Sequence, residues 1–249
     1  MTERLTAAST SVTHRVRAIS HPSEQQAANA AREAHESGLN SRGGGTAAEQ
    51  FWEDFYRERE QIWTGNANKT LVREVSGLPA GTALDLGCGE GGDAIWLAQQ
   101  GWQVTAVDIS TTAMERGAQH AAAAGVQITW ARHDLHADFP AGSFDLVSAQ
   151  FLHSPVEQPD ERATILRKAA AAVAPGGVLV IGGHAGWPSW VTTPPHDHIA
   201  FPTIEQVLEQ LALGPEWQVE TAELVYSPST SPDGVEGERA DSVLRLRRG

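Results

Sequence analysis

A glycine-rich turn with an acid just before it constrains this chain most strongly. The apolar stretch Ala83–Leu86 runs into the loop Gly87-Cys88-Gly89-Glu90-Gly91, and a helical pattern follows. Glycines at positions 87, 89 and 91 let the backbone turn sharply and let a ligand approach where a Cβ would intrude. Dinucleotide-binding loops place their third glycine later, as G-x-G-x-x-G. The G-x-G-x-G spacing after Asp85 therefore predicts that the first strand ends at a small-ligand site that is not a dinucleotide site.

From residue 82 onward, apolar strand patterns alternate with helical patterns. This alternation predicts an α/β fold in which a mostly parallel sheet carries helices on both faces. The predicted strands are Ala83–Leu86, Val104–Val107, Val126–Trp130, Phe144–Ala149, Val178–Ile181, Trp217–Tyr226 and Ser242–Arg247, and the predicted helices between them are Asp93–Gln100, Thr112–Ala124 and Asp160–Ala174.

Acids follow three of the predicted strands. Asp85 is the last residue but one of the first strand, Asp108 comes directly after the second, and Asp134 follows the third, so all three lie near carboxyl ends of strands. Ligands of open α/β sheets bind at the carboxyl ends of the strands, where an acid after the second strand commonly accepts ribose hydroxyls. Each acid also has a structural alternative: Asp85 as a partner of the loop amides, Asp108 as a helix N-cap, and Asp134 as an ordinary turn acid.

The order of these motifs resembles the class I S-adenosylmethionine-dependent methyltransferases. The resemblance covers about residues 50–249 and implies a Rossmann-like, seven-stranded, mostly parallel sheet whose last strand is antiparallel. The motifs that carry it are Asp85–Gly91 as motif I, Asp108, Asp134-Leu135, Phe144–Ala149 as motif IV, and Ala174–Leu179 before the fifth strand.

The same resemblance implies a cofactor, S-adenosyl-L-methionine, and assigns residues to it. Its methionine part would lie near the glycine loop, with Asp108 on the ribose and Ile109 packed on the adenine. Asp134 and Leu135 would flank the adenine edge. Gln150, at the end of the fourth strand, is predicted to contact the cofactor and to form a wall of the acceptor pocket.

The composition of the first 80 residues predicts a disordered N-terminal tail, followed by helices that cover the cofactor site and are called the cap here. Residues 1–50 contain no Phe, Tyr or Trp, so residues 1–48 are predicted to be a disordered tail. Residues 49–249 would form the methyltransferase domain, with cap helices at 49–80 and a lid-like loop at 185–202. Trp63 and the aromatics before it resemble those of tellurite-resistance, thiopurine and thiol or halide methyltransferases, which place such a helix over the cofactor. Trp63 is accordingly predicted to contact the cofactor, with a core position as the alternative.

The net charge and the cysteine content restrict the classes of partner and the cellular compartment that we expect for this chain. The formal net charge is −13, and a surface this acidic repels phosphate backbones and anionic lipid heads. The single cysteine, Cys88, fits a reducing cytoplasm. No targeting or membrane-spanning segment is found, and motif IV lacks the Pro-Pro-Tyr type sequence of DNA amino-methyltransferases. We expect a cytoplasmic protein with a small-molecule acceptor, without nucleic-acid or membrane partners and of unknown oligomeric state.

Two histidines are the candidates for acid–base chemistry. His153 lies just beyond the fourth predicted strand and His184 just beyond the fifth, so both could flank one acceptor pocket. Either could take a proton near neutral pH, or could simply shape the loops. His196 and His198 lie close together, but their spacing is not that of helical metal ligands and no cysteine assists them. No metal site is predicted.

The sequence thus favours an enzyme that transfers a methyl group to a small molecule by in-line displacement. A protein that binds S-adenosylmethionine without catalysis is an alternative, because the glycine loop does not distinguish the two. An NAD(P)-dependent oxidoreductase is a more distant alternative, because the glycine spacing does not favour it.

Overall fold

Seven strands and six helices alternate in the computed structural model, which describes residues 46–193 and 201–249. The predicted tail as far as residue 45, and residues 194–200 of the predicted lid with His196 and His198, lie outside these stretches. The strands are β1 (Thr82–Leu86), β2 (Gln103–Asp108), β3 (Thr129–Arg132), β4 (Phe144–Gln150), β5 (Val173–His184), β6 (Trp217–Thr230) and β7 (Glu236–Arg248). The helices are α1 (Ala47–Arg57), α2 (Lys69–Val75), α3 (Gly92–Gln99), α4 (Thr111–Ala123), α5 (Glu161–Ala171) and α6 (Ile204–Leu211).

The strands form one sheet in the order β3-β2-β1-β4-β5-β7-β6. Only β7 among them runs against its neighbours, pairing antiparallel with both β5 and β6. The strand order changes direction between β1 and β4, and ligands of open α/β sheets bind at such a switch point. The predicted seven-stranded Rossmann-like fold is confirmed.

Two apolar layers cover the sheet. On one face Leu166 of α5 and Val207 of α6 pack on buried strand residues such as Leu84 and Val147. On the other face α2 and α3 pack on a second set of strand side chains. Strands buried on both faces appear in the sequence as nearly continuous apolar runs, which is why β1, β2 and β4 were predictable.

Several boundaries differ from the predictions, among them those of β5, which spans Val173–His184 and not Val178–Ile181. Strand β3 begins at Thr129 and not at Val126, because the Val126 N–H bonds to Ala121 O and so completes the end of α4. Helix α5 ends at Ala171, since Val173 already pairs with Phe144 as part of β5. The hairpin of β6 and β7 is also longer than predicted.

Helix α6 was not predicted, although its sequence carries a start pattern. Thr203 accepts a hydrogen bond from Gln206 N (3.2 Å), and Gln206 Oε1 accepts one from Thr203 N (2.8 Å). This reciprocal capping box begins an amphipathic turn that buries Val207 and Leu211. In the two stretches that the structure describes, no helix is long and apolar enough to cross a lipid bilayer.

Candidate cofactor and acceptor site

The loop between β1 and α3 has the backbone geometry that its glycines predict. Gly87, Gly89 and Gly91 have φ values of +67°, +51° and +86°, a region that residues with a Cβ rarely adopt. A Cβ on Gly87 would lie 2.8 Å from Leu152 Cδ1, and one on Gly89 would lie 2.8 Å from Tyr56 Oη. The loop is therefore closely approached from two sides, by the segment after β4 and by the N-terminal cap.

Asp85 lies at the bottom of this loop. It is buried, and its Oδ2 has no hydrogen-bond partner among the residues that the structure describes. Burial, together with the charges of Asp93 and Asp108, raises its pKa well above the usual value, and the neighbouring Ser148 hydroxyl, which makes no well-formed hydrogen bond to Oδ2, opposes this rise. A buried carboxylate oxygen without a donor is costly to the protein alone. It fits a role in receiving a donor from a ligand, such as the ammonium group of an amino acid.

Asp108 ends β2 beside the same loop. Its Oδ2 accepts the N–H of Gly89 (2.8 Å) and its Oδ1 accepts the N–H of Ser110 (2.9 Å). Burial raises its pKa, and these backbone hydrogen bonds oppose that rise. The helix N-cap of α4 is Ser110, whose hydroxyl accepts from Ala113 N, so the N-cap alternative for Asp108 does not hold. A carboxylate has about four acceptor positions, so Asp108 can accept a further hydrogen bond, and its contact with the ribose stays a prediction.

Three further residues that are predicted to contact the cofactor lie along the edge of the sheet toward β3: Ile109, Asp134 and Leu135. Ile109 lines an open cleft of about 390 Å³ between α1 and α4. Asp134 Oδ1 accepts the N–H groups of His136 (3.1 Å) and Ala137 (3.4 Å), which is the turn geometry of the structural alternative. The Leu135 side chain is buried in the main core. The adenine contact of Asp134 and Leu135 stays a prediction.

Trp63 and Tyr56 cover the glycine loop from the cap. The indole N–H of Trp63 donates to Tyr56 Oη (3.1 Å), and Trp63 is half exposed, so the core alternative for Trp63 does not hold. Both side chains lie close to Gly89. The arrangement places an aromatic cap beside the predicted site for the methionine part of the cofactor.

Hydrogen bonds to β5 and α2, which were not predicted, hold the Gln150 side chain in place. It is buried at the end of β4, where its Nε2 donates to Val180 O (3.3 Å) and its Oε1 accepts from the Thr70 hydroxyl (3.5 Å). A Cβ on Gly182 would come within 2.3 Å of Oε1, so the glycine makes room for this amide. The side chain thus joins β4, β5 and α2.

The two predicted histidines are brought together. The rings of His153 and His184 stack with centroids 5.8 Å apart and an interplanar angle of 13°. Phe151 packs on His184 from another direction, with centroids 4.6 Å apart, and adopts φ +51°. A positive φ on a bulky residue is strained, and such strain often occurs at functional sites.

Comparison with known proteins finds similarity to methyltransferases. Residues 83–177 match the family model of a methyltransferase domain. Over this stretch the chain is similar to methyltransferase domains. Among curated relatives, a ubiquinone biosynthesis O-methyltransferase of Methylobacterium sp. (strain 4-46) is 31% identical over 162 residues, which cover 59% of this chain and 64% of that protein. A ribosomal RNA small subunit methyltransferase C of Alcanivorax borkumensis is 33% identical over 104 residues, or 40% of this chain and 31% of that one. The chain spans less than two thirds of these relatives' length.

Solved structures of low sequence identity share the fold of this chain. One, from work on the conversion of a disulfide bond into a thioacetal group during echinomycin biosynthesis, has a TM-score of 0.64 at 22% identity, covering 80% of this chain and 91% of that one. TehB from Haemophilus influenzae has a TM-score of 0.62 at 16% identity, covering 79% and 67%. The N-methyltransferase NodS from Bradyrhizobium japonicum WM9, in complex with S-adenosyl-L-homocysteine, has a TM-score of 0.56 at 21% identity, covering 81% and 98%.

Several buried residues of the candidate site were not identified from the sequence. Buried Glu90, inside the glycine loop, accepts the N–H groups of Ile62 (3.2 Å) and Trp63 (3.0 Å) and pairs with Arg116. Asp93, in the first turn of α3, accepts from the side chain and backbone of Asn68. The local sequence could have identified Asp93, because acids are favoured at helix N-termini. The partners of Glu90 lie 26 to 28 residues away, and nothing local identifies them.

Proposed function

We propose that this chain binds S-adenosylmethionine at the carboxyl edge of β1 and β2 and transfers its methyl group to a small-molecule acceptor. The observation that carries the proposal is the unpartnered, buried Oδ2 of Asp85 below a loop with three positive-φ glycines. When bound, the cofactor supplies a methyl group on a sulfonium, which departs as a neutral thioether. The chain's own residues then need mainly to hold the acceptor in line with that methyl and to exclude water.

Charge supports a small acceptor over a nucleic acid. The net charge is −13, and several arginines near the C-terminus are held in ion pairs. Arg245 pairs with Glu220 and Glu74, and Arg247 pairs with the same Glu220. Nucleic-acid binding needs cations that can neutralise phosphates. Incubation with labelled S-adenosylmethionine and either ribosomal RNA or a metabolite panel separates the two acceptor classes, and label in RNA alone would contradict the proposal.

Asp108→Asn tests the cofactor site. The amide cannot accept at both oxygens, so either a loop N–H or a ribose hydroxyl loses its partner. Hydrogen bonds to charged groups are worth about 1.5–3 kcal/mol, so the Kd for S-adenosylhomocysteine should rise by about 10- to 100-fold. Isothermal titration calorimetry measures it. Asp145→Asn makes the same chemical change at the start of β4, at the opposite edge of the sheet, and should leave the Kd unchanged.

The alternatives give different results in the same experiments. A non-catalytic binding protein would bind S-adenosylhomocysteine, yet would give no labelled product from any acceptor. An oxidoreductase would bind NAD in preference to S-adenosylhomocysteine. An unchanged Kd of Asp108→Asn for S-adenosylhomocysteine would contradict the assignment of Asp108 to the ribose.

A further inference from the structure

A buried arginine lies beside the carboxyl ends of β4 and β5. Arg162, in the first turn of α5, is only 7% exposed. Its Nε donates to Leu152 O (3.1 Å), in the segment that follows β4. Within the two stretches that the structure describes, its two Nη groups have no hydrogen-bond or ion-pair partner. Arginine is almost never buried without an anionic partner, because an uncompensated charge is costly to remove from water.

The acids near the start of α5 do not provide that partner. Burial lowers the pKa of Arg162, and the charge of Glu157 opposes this fall. The Oε1 atom of Glu157, however, accepts the backbone N–H of Arg162 (3.3 Å). Glu161 Oε2 likewise accepts a backbone N–H, that of Gln158 (2.7 Å). These carboxylates therefore hold the first turn of the helix, and among the described residues neither forms an ion pair with the guanidinium.

The guanidinium lies at the edge of the sheet where ligands of open α/β folds bind. A Cβ on Gly183, near the end of β5, would lie 3.6 Å from Nη2, so this glycine keeps a side chain away from the Nη groups. Leu152, which accepts from Nε, borders Gly87 of the glycine loop with its Cδ1 atom. Leu152 thus contacts both Arg162 and the loop, which places the guanidinium one residue away from the predicted cofactor site.

The segment after β4 carries a second polar group without a partner. The hydroxyl oxygen of Ser154 is buried and has no hydrogen-bond partner among the described residues. The backbone of the same segment is tightly wound, since Phe151 has φ +51° and His153 N donates to Phe151 O (2.8 Å). Such strain often occurs where ligands are bound. Unsatisfied polar groups and a strained backbone therefore occur together beside Arg162.

We propose that Arg162 binds a carboxylate group of the methyl acceptor, which is therefore a small organic acid; this rests on the function proposed above. Each carboxylate oxygen accepts from one Nη group, in the bidentate arrangement that suits the planar guanidinium. Nε stays on Leu152 O and holds the guanidinium in place. The ion pair orients the acceptor relative to the glycine loop and takes no part in the bond changes, so Arg162 determines specificity.

A carboxylate fits these surroundings better than a phosphate group does. The chain has a net charge of −13, and Glu157 and Glu161 lie close to Arg162 in sequence. A phosphate monoester carries nearly two negative charges at neutral pH, so these acids repel it about twice as strongly as they repel a carboxylate. A neutral acceptor would leave the buried guanidinium without an anion. The site therefore selects a single negative charge.

The first experiment measures binding without methyl transfer. Benzoate and its neutral counterpart benzamide are titrated into the protein in the presence of saturating S-adenosylhomocysteine, with the Nε–H signal of Arg162 followed by NMR. Hydrogen bonds to charged groups correspond to about 10- to 100-fold in Kd, so benzoate should bind at least about 10-fold more tightly and should shift this signal. Equal affinities, or an unshifted signal, would overturn the proposal. Binding of inorganic phosphate in preference to benzoate would overturn the carboxylate class.

Arg162→Gln removes both the charge and the planar donor group. Benzoate should then bind about 10- to 100-fold more weakly, whereas the Kd for benzamide should change less than about 3-fold. Arg167→Gln is the matched control, because Arg167 lies on the same helix and donates to Gln210 O and Thr164 Oγ1 (both 3.0 Å). Arg162→Lys keeps the charge, should show an intermediate Kd for benzoate, and serves as the test if Arg162→Gln does not fold. Equal losses for both probes would show a structural role and overturn the proposal.

Methyl transfer tests whether the bound acid is the acceptor. In the metabolite panel with labelled S-adenosylmethionine, the wild-type protein should place label in compounds that carry a carboxylate. Arg162→Gln should lower kcat/KM for these compounds by about 10- to 100-fold, mainly through KM, because Arg162 binds the acceptor without taking part in the reaction. Label confined to neutral or cationic compounds would overturn the proposal.

Cofactor binding separates failure of this inference from failure of the proposed function. S-adenosylhomocysteine should bind Arg162→Gln and Arg167→Gln as it binds the wild-type protein. If the wild-type protein does not bind it, or labels no compound at all, the proposed function fails. If the wild-type protein binds it and transfers label without preferring acids, only the assignment of the acceptor class fails. A higher Kd in Arg162→Gln alone would show that Arg162 binds the cofactor's own carboxylate, and would overturn the proposal.

Discussion

At the scale of single residues, three buried acids of the site lower the free energy of unfolding when they are ionised. Asp85, Asp93 and Asp108 all have a raised pKa, with burial as the largest cause, and Asp85 also feels the charges of the other two. In the window between the usual and the raised pKa, the folded protein binds more protons than the unfolded chain does. The free energy of unfolding therefore falls as pH rises through that window.

Asp85→Asn should stabilise the cofactor-free protein at neutral pH while weakening S-adenosylhomocysteine binding. The amide removes a buried charge, so the difference in Tm from wild type should be near zero at about pH 4 and should grow toward about pH 8. In a chain of this size each kcal/mol recovered raises Tm by roughly 2–4 °C. Thermal unfolding followed by circular dichroism across this range measures it.

Asp145→Asn provides a contrast of opposite sign. Hydrogen bonds from the N–H and hydroxyl of Thr82 (both 2.8 Å) lower the pKa of Asp145. The stability from this group is present above the usual pKa and is lost as pH falls through the lowered one. Its Asn variant should therefore lose Tm at neutral pH and approach wild type in acid. A uniform gain for Asp85→Asn at every pH would show that its buried charge is not the cause.

At the scale of elements, the N-terminal cap is held by two carboxylates. Glu53 of α1 accepts from the hydroxyls of Ser110 (2.8 Å) and Thr112 (2.6 Å) at the start of α4. Glu90 accepts backbone N–H groups of the cap, and its partner Arg116 also donates to Tyr56 O (2.8 Å). The glycine loop and the cap therefore share one buried ion pair, so cofactor binding and cap position should be coupled.

Glu90→Gln should loosen the cap without unfolding the sheet. The amide leaves the Arg116 guanidinium without its buried anion, and breaking such pairs is strongly destabilising. Hydrogen exchange should become at least about 10-fold faster in α1 and at Ile62 and Trp63, with the amides of β1 and β4 unchanged. Glu58→Gln makes the same change at an exposed carboxylate and should have no effect. Unchanged exchange in the cap of Glu90→Gln would show that the ion pair does not hold it.

Local patterns explain what was predictable in these elements. Buried parallel strands, the glycine loop and the acids at strand ends are each encoded within a few consecutive residues, so the fold and the Asp85–Asp108 edge followed from the sequence. The Asp241 partner of His184 lies 57 residues away on an antiparallel strand. Its position depends on the pairing of β5 with β7, and no local spacing carries that register. The hydrogen bonds of Gln150 could not be predicted for the same reason, since its partners Thr70 and Val180 are distant in sequence, and its contact with the cofactor stays a prediction.

At the scale of the whole molecule, we propose that the folded domain begins with α1 and that residues 1–45 are dispensable to it. Helix α1 starts at Ala47, with Thr46 as its N-cap, and buries Phe51, Phe55 and Tyr56. Residues 1–45 contain no aromatic side chain of this kind. Apolar burial supplies most of the stability of a domain, so the two segments should contribute very differently.

Two truncations test that boundary. Removal of residues 1–45 should change Tm by less than about 2 °C, because few apolar groups are lost, and should leave the Kd for S-adenosylhomocysteine within about 2-fold. Removal of residues 1–57 takes away α1 as well and uncovers Ala113 and Ile62, which pack with Phe55 and Tyr56. Loss of such buried aromatics costs about 3–5 kcal/mol each, so this chain should melt far lower and bind poorly. A large fall in Tm on removal of residues 1–45 alone would show that this segment packs on the domain, because the aromatic residues of α1 remain in place in that truncation.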